Sequence, residues 1–136
     1  LLERFVVGRE LALSVLGTGE PWALPVVEAI PRGRDFYDFE ARYTPGLTDL
    51  VAPARLDDAL AQETARLAIA CYRALGCRGV SRVDMLLDAD GGLWVLEINA
   101  IPGMTDTSLL PKAAEAAGLG FDEVVERILA DAALGA

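Results

Sequence analysis

Residues 77–100 constrain the fold of this chain more than any other segment, because their pattern predicts a β-hairpin. Two strand-like runs, CRGVSRVDMLLD and LWVLEINA, flank the turn sequence ADGG, and a Gly-rich turn between two such runs is typical of a hairpin. Alternate residues of a strand face the same side. The pattern therefore predicts one face of each strand to hold the following residues: Arg82, Asp84 and Leu86 on the first strand, and Leu93, Val95, Glu97 and Asn99 on the second.

The pairing across this hairpin depends on the length of its turn. If residues 89–92 form a four-residue loop, Asp84 lies opposite Glu97 and Arg82 lies opposite Asn99. A five-residue loop would place Asp84 and Glu97 on opposite faces. Two carboxylates directly opposite each other destabilise a sheet. A positive group is therefore expected between them, and both Arg82 and a divalent cation are candidates.

The oxygen atoms on this face are those of a hard-metal site. Asp84 and Glu97 supply carboxylates and Asn99 supplies an amide oxygen, without histidine or thiolate. This set suits Mg²⁺ or Mn²⁺ rather than zinc, and Mg²⁺ held by few protein oxygens usually completes its shell with water and nucleotide phosphates. A polar strand face with an ordinary salt bridge explains the same residues, so the spacing alone leaves both interpretations open.

The segments before the hairpin predict two strands and a long loop. Residues 4–16 alternate in the manner of a half-buried strand. Residues 22–30 predict a second strand, antiparallel to the first, in which Pro25 indicates an edge or a bulge. Residues 31–55 contain aromatic residues without a steady period. A loop of this length in a compact domain is often a lid or a binding loop.

Three helices are predicted in the rest of the chain. The longest has Asp57 as its N-cap and Gly76 at its C-terminal end, and the second runs from near Ser108 to Gly118. The third begins near Asp122. The predicted apolar stripe of the longest helix is Leu60, Thr64, Leu67, Ala68, Cys71 and Leu75, and that of the third is Val125, Ile128, Leu129 and Ala132.

Charge and cysteine content exclude several classes of protein. The net charge is −9, there is no histidine, and Lys112 is the only lysine, which argues against a nucleic-acid backbone as partner. A phosphate ligand stays compatible with this charge, because bound cations can reverse it locally. Cys71 and Cys77 lack the spacing of a zinc site and favour two buried thiols in a reducing cytosol.

Length and hydropathy predict one folded domain without a membrane span. The 136 residues suffice for one core, and no apolar run approaches the roughly 20 residues that a bilayer requires. The first residues, Leu1 and Leu2, show neither an initiator Met nor a signal pattern. The start is therefore expected to be a cut made inside a longer chain.

Several motifs, taken in order, resemble those of one enzyme family. GRELALSVLG, FYDFEARY and LGCRGVSRVD are followed by RVDMLL, LEIN, PGMT and SLLP, and this series is similar to the C-terminal part of the D-alanine–D-alanine ligases of the ATP-grasp superfamily. The resemblance implies an α/β fold of the α+β type, a largely antiparallel sheet with packed helices over residues 1–136. It also implies that residues 31–55 are an active-site lid loop and that the N-terminal and central domains are absent from this chain.

The resemblance implies metal and catalytic residues by their positions in these motifs. Two Mg²⁺ ions (or Mn²⁺) would bridge the phosphates of ATP, held by Asp84, Glu97 and Asn99. The oxyanion of the tetrahedral intermediate would be stabilised by Arg82 and the Gly103 N–H. Tyr43, on the lid loop, completes the implied catalytic set.

The resemblance implies binding residues as well. Adenine would contact Glu3 and the backbone of Val6, and the ribose hydroxyls would contact Glu10. Arg42 would lie near the γ-phosphate. The carboxylate of the second D-alanine would be held by Ser108 and Leu109, at a helix N-terminus that suits an anion.

The implied reaction has two steps. ATP phosphorylates the carboxylate of the first D-alanine to an acylphosphate, and the amine of the second D-alanine then attacks, releasing phosphate and forming a peptide bond for peptidoglycan precursors. The implied partners are ATP, D-alanine and the missing N-terminal half of the enzyme, with a homodimer as an open possibility and with no nucleic acid or membrane. The implied compartment is the cytoplasm.

Two departures and two alternatives accompany the resemblance. Arg42 stands where the family usually has Lys, which keeps the charge but not the geometry, and Ala100 stands where Thr is frequent. The family takes its phosphate-binding lysines from preceding segments, which Lys112 alone cannot replace, so the isolated chain is expected to be inactive. The alternatives are a related ligase with another amino or carboxylic acid substrate and a non-catalytic nucleotide-binding remnant. Tyr43 favours dipeptide over depsipeptide synthesis.

Overall fold

One antiparallel sheet with helices on both faces forms the described part of the chain. The structure is a computed structural model, and it describes residues 2–17, 19–33, 44 and 46–132. The strand order is β4-β3-β1-β5-β6, and β2 pairs with β1 beyond the end of β3. This arrangement confirms the predicted fold class. The elements are β1 (Arg9–Leu16), β2 (Trp22–Ala23), β3 (Val27–Pro31), β4 (Thr48–Val51), α1 (Asp58–Ala74), β5 (Val80–Leu87), β6 (Leu93–Asn99), α2 (Leu109–Ala116) and α3 (Phe121–Asp131).

Strand β1 is buried on both faces. Leu11 and Leu13 pack with α1, whereas Ala12 packs with α2 and α3 on the other side of the sheet. Ser14, on the same face as Ala12, is also buried. The prediction of a half-buried strand was wrong, because alternation in a sequence indicates two different faces and does not indicate that one of them meets solvent.

Residues 22–30 contain two short strands rather than one. β2 and β3 both pair antiparallel with β1, and the break between them contains Pro25. The predicted loop at 31–55 is not wholly irregular either, because β4 pairs with β3 within it. Residues 34–43 and 45 of that segment lie outside the described residues.

Helix α1 has both of its predicted end signals. The Asp57 carboxylate accepts the Leu60 N–H at 2.8 Å, which caps the first turn. Gly76 follows the last turn with a φ of +62°, a conformation that glycine adopts without strain. The predicted stripe was wrong at its C-terminal end. Tyr72 is buried and Leu75 is exposed, so the stripe follows the i, i+4 row that ends at Tyr72.

Helices α2 and α3 cover the face of the sheet opposite α1. Leu110 and Ala113 of α2 and Val124 of α3 are buried in one cluster with Val27 of β3. The predicted stripe of α3 was shifted, because Val124 is its buried residue and Leu129 is exposed. The sheet thus lies between one helix and two, and its central strands are shielded on both sides.

Two other sequence expectations concern the cysteines and the membrane. Cys71 and Cys77 are free thiols and are half-buried rather than fully buried. Each helix among the described residues is too short or too polar to span a bilayer.

Candidate functional site

The β5–β6 hairpin pairs Asp84 with Glu97 and Arg82 with Asn99, as predicted, but through a different turn. The turn comprises five residues, 88–92, because Leu87 lies opposite Leu93. In an unbroken ladder, a turn of this length would place the two carboxylates on opposite faces.

A β-bulge at Leu96 restores the pairing of the carboxylates. Met85 pairs with Val95 while Asp84 pairs with Glu97, so Leu96 is the additional residue on β6. A bulge of this kind re-aims the side chains that follow it, and here it returns Glu97 to the face of Asp84. The prediction of one continuous face along β6 was wrong, because Val95, before the bulge, faces the same side as Met85.

Arg82 and Asp84 form a buried ion pair on this face of the sheet. The Arg82 Nε and Nη2 atoms donate to the Asp84 Oδ1 and Oδ2 atoms at 2.6 and 2.8 Å. The side chains are 9% and 6% exposed. Among the described residues, Arg82 is therefore a positive group that lies beside the opposed carboxylates. Breaking such a buried pair is strongly destabilising, because it leaves the other charge uncompensated.

Chemically, the predicted metal ligands fit a hard cation. Asp84 and Glu97 face each other across β5 and β6, and Asn99 follows on the same face. A carboxylate offers about four lone-pair sites, so Asp84 can accept both Arg82 bonds and still act as a ligand. The Asn99 Oδ1 atom accepts the Ile101 N–H at 3.0 Å, which orients the amide. Among the described residues, no group of three or more His, Cys, Asp or Glu side chains is placed to hold a metal ion, so this set depends on the amide as its third ligand.

The loop after β6 brings Gly103 and Ser108 together. A Cβ atom on Gly103 would lie only 2.8 Å from the Ser108 Oγ atom, so this position accepts no larger residue without movement of Ser108. The Ser108 Oγ atom also accepts the Thr105 N–H at 3.1 Å and lies 2.8 Å from the Thr105 Oγ1 atom. The hydroxyl of Ser108 is thus directed into the loop that contains the Gly103 N–H.

Helix α2 begins next to this loop. Ser108 occupies the N-cap position but makes no side-chain capping bond, although serine at this position usually makes one. Leu109, the first helical residue, is buried in the core with Leu110. Its side chain is therefore part of the packing of α2, and any binding role of Leu109 falls to its backbone N–H.

The predicted nucleotide-binding residues lie at the start of the described chain. Glu3 and Val6 precede β1 in a segment without regular structure, Glu3 exposed and Val6 half-buried. Glu10 lies opposite Leu86 on β5, and alternation places it on the same face as Asp84. Two further predicted residues, Arg42 and Tyr43, lie outside the described residues.

Arg4 links this initial segment to the tip of the hairpin. Its Cζ atom lies 5.2 Å from the centroid of the Trp94 ring, a cation–π geometry. The Trp94 Nε1 atom in turn donates to Asp88 at 2.7 Å, and Asp88 also accepts the N–H groups of Gly92 and Asp90. These hydrogen bonds, led by that of Trp94, lower the pKa of Asp88 below its usual value. The segment with Glu3 and Val6 is thereby held against the hairpin.

Sequence reasoning missed Thr105, Trp94 and Asp88 as contributors to this region. The spacing T-x-x-S from Thr105 to Ser108 is the signal that indicates a local hydroxyl contact before a helix. The contact of Trp94 with Arg4 has no comparable signal, because the two residues are far apart in the sequence.

Comparison with known proteins shows several relatives of this chain. The family described as "D-ala D-ala ligase C-terminus" matches residues 1–130. A D-alanine–D-alanine ligase of Carboxydothermus hydrogenoformans is 48% identical over 130 residues, which cover 95% of this chain and 41% of that protein. The chain therefore spans about two fifths of the length of the curated relatives that it matches.

Solved structures give the same result. The D-alanine–D-alanine ligase of Bacillus anthracis, in complex with ATP, matches with a TM-score of 0.73 and 31% identity over 95% of this chain and 38% of that chain. The VanG D-Ala:D-Ser ligase of Enterococcus faecalis matches with a TM-score of 0.77 and 32% identity over 94% of this chain and 37% of that chain.

Proposed function

Since this chain belongs to the D-alanine–D-alanine ligase C-terminal family and has the ATP-grasp fold of such ligases, we propose that it supplies the metal-binding and acceptor-binding part of an enzyme that joins two D-alanines with ATP. The observation that carries this proposal is the pairing of Asp84 with Glu97 beside Arg82 on a hairpin whose second strand leads directly into the loop of Gly103 and Ser108.

In the proposed reaction, the residues of this chain act on developing negative charge. ATP transfers its γ-phosphoryl group to the carboxylate of the first D-alanine, and the amine of the second D-alanine attacks the resulting acylphosphate with loss of phosphate. Mg²⁺ or Mn²⁺ held by Asp84, Glu97 and Asn99 would neutralise phosphate charge. Arg82 and the Gly103 N–H are proposed to stabilise the oxyanion of the tetrahedral intermediate.

Acceptor binding is proposed for the start of α2. The carboxylate of the second D-alanine is an anion, and the first N–H groups of a helix favour anions. The Ser108 hydroxyl and the Leu109 N–H are the groups assigned to it. Because the Ser108 side chain makes no capping bond, its hydroxyl is not committed to the helix.

Nucleotide binding is proposed for the residues on either side of the start of β1. Glu10 shares the sheet face of Asp84, so ribose and phosphates would lie along one face. Glu3 and the Val6 backbone are assigned to adenine, in the segment that Arg4 holds against Trp94. The roles of Arg42 and Tyr43 on the lid loop remain predictions from the resemblance.

The wider setting is also part of the proposal. The rest of the substrate sites would come from the N-terminal and central domains. The product would serve peptidoglycan precursor synthesis in the cytoplasm.

Another acceptor is the principal alternative. The chain is also similar to VanG, which is named as a D-Ala:D-Ser ligase. A ligase of this fold can therefore have a name that gives D-serine as the second substrate. A non-catalytic remnant is the second alternative, and the retention of Arg82, Asp84, Glu97 and Asn99 on one face argues against it.

Phosphate release by the full-length protein with ATP and Mg²⁺ tests the proposal. D-alanine should support turnover, whereas L-alanine and D-lactate should not. Turnover only with D-serine would show that the acceptor is D-serine and not D-alanine. No turnover with any of these compounds would favour the non-catalytic remnant. Glu97→Gln should lower kcat by roughly 100-fold or more. Glu63→Gln, on the exposed side of α1 in an ion pair with Arg66, is the matched control and should stay within about twofold. The isolated 136-residue chain should release no phosphate.

A further inference from the structure

The Ser108 hydroxyl is oriented by Thr105 rather than by its own helix. The Thr105 N–H donates to the Ser108 Oγ atom at 3.1 Å, and the Thr105 Oγ1 atom lies 2.8 Å from the same oxygen. The Ser108 side chain makes no hydrogen bond to the first N–H groups of helix α2. Gly103 provides the space for this arrangement, because a Cβ atom there would lie 2.8 Å from the Ser108 Oγ atom.

The number of protons in this contact determines what Ser108 can bind. A serine hydroxyl has one proton to donate and two lone pairs to accept with. One lone pair takes the Thr105 N–H. Between the two hydroxyls, either oxygen could be the donor. If Ser108 donates to Thr105, its proton is used within the loop. If Thr105 donates to Ser108, both lone pairs are filled and the Ser108 proton points elsewhere.

A carboxylate can only accept hydrogen bonds, so it selects the second of these two states. When the Thr105 hydroxyl donates to Ser108, both lone pairs of the Ser108 oxygen are occupied, and the Ser108 hydroxyl can act only as a hydrogen-bond donor. The two hydrogen bonds that it accepts polarise the hydroxyl and strengthen the hydrogen bond that it donates. The Thr107 Oγ1 atom lies 3.3 Å from the Thr105 Oγ1 atom. Thr107 is therefore linked to Ser108 through the Thr105 hydroxyl.

We propose that Thr105 is a positioning residue for the acceptor substrate: it donates to Ser108 and so fixes the Ser108 hydroxyl as a donor to the acceptor carboxylate. This inference rests on the proposed function, because it assumes that Ser108 holds that carboxylate. It assigns to Thr105 an effect on acceptor affinity that does not extend to ATP.

Steady-state kinetics of the full-length protein test the role of Thr105. Thr105→Val replaces the hydroxyl with a methyl group of similar size, Thr105→Ser restores the hydroxyl, and Thr107→Val removes a hydroxyl that lies farther from Ser108. Thr105→Val should raise KM for the acceptor D-alanine by about tenfold, with kcat and the KM for ATP within about twofold of wild type. Thr105→Ser and Thr107→Val should both stay within about threefold in acceptor KM.

Several outcomes would overturn the inference. If Thr105→Val leaves acceptor KM unchanged, or raises the KM for ATP equally, Thr105 does not position Ser108. In a Ser108→Ala background, Thr105→Val should add no further change, and a full tenfold effect there would show that Thr105 acts elsewhere. If Thr105→Val does not fold, Thr105→Ala, which also lacks the hydroxyl, is measured in its place and should raise the acceptor KM in the same way. If the wild-type protein itself does not use D-alanine, the proposed function fails and this inference fails with it; if the wild type turns over normally, only the inference is at stake.

Discussion

Gly103→Ala is predicted to destabilise the chain solely through Ser108. The new Cβ atom would stand 2.8 Å from the Ser108 Oγ atom but 3.6 Å from the Ser108 Cβ atom, so the hydroxyl is the group that must move. Movement breaks both contacts of that oxygen with Thr105, at about 1 kcal/mol each. Gly103 does not have a positive φ, so alanine causes no backbone strain and gains about 0.4–1 kcal/mol by restricting the unfolded chain. The net loss is about 1–1.5 kcal/mol.

Urea unfolding of the 136-residue chain, followed by circular dichroism, measures this loss. With a typical slope of about 2 kcal/mol per molar, the midpoint should fall by about 0.6 M. In a Ser108→Ala background the clash is absent, and Gly103→Ala should be neutral or stabilising by up to about 1 kcal/mol. The coupling energy between the two positions is then about 2 kcal/mol. A coupling energy below about 0.5 kcal/mol, which is the range of independent sites, would refute the reasoning.

Two further predictions concern α1. Asp57→Ala should lower the free energy of unfolding by about 1 kcal/mol because Leu60 loses its capping carboxylate, whereas Asp57→Asn should stay near wild type in the same urea titration; equal losses would contradict the capping role. Tyr72→Phe removes the hydroxyl that donates to the Gly17 carbonyl at 2.8 Å and should cost about 1 kcal/mol at neutral pH. Burial raises the pKa of Tyr72 above its usual 10.0, so its contribution is complete below that pH and is lost as pH rises through the raised pKa. The stability difference between Tyr72→Phe and wild type should narrow in alkaline solution, and a gap that widens there would oppose this assignment.

Elements with local signals were predictable from the sequence. Helix α1 carries its cap at Asp57 and its terminating glycine at Gly76, and both signals act within a few residues of the helix ends. Strand β4 was not predictable in the same way. Its hydrogen bonds come from pairing with β3, and a short strand in an irregular segment has no pattern of its own.

The candidate site shows the same division. The opposition of Asp84 and Glu97 was inferred from a four-residue turn that the structure does not have. The five-residue turn and the bulge at Leu96 each shift the register by one residue, and the two shifts cancel. Nothing in the residues around Leu96 indicates a bulge, because its position is set by how the two strands pair. The contact between Ser108 and Thr105 was likewise missed, since a helix N-cap is the usual role of serine before a helix.

The bulge at Leu96 has a consequence for the evolution of this hairpin. Glu97 lies opposite Asp84 only while Leu96 stays outside the ladder. If β6 paired with β5 from Leu93 onward without the bulge, Glu97 would lie opposite Val83 and on the other face of the sheet. A change of length in the turn at 88–92 leaves the pairing of Asp84 with Glu97 intact as long as Leu87 still pairs with Leu93, so we expect functional relatives to keep the two strands in register while the turn varies in length.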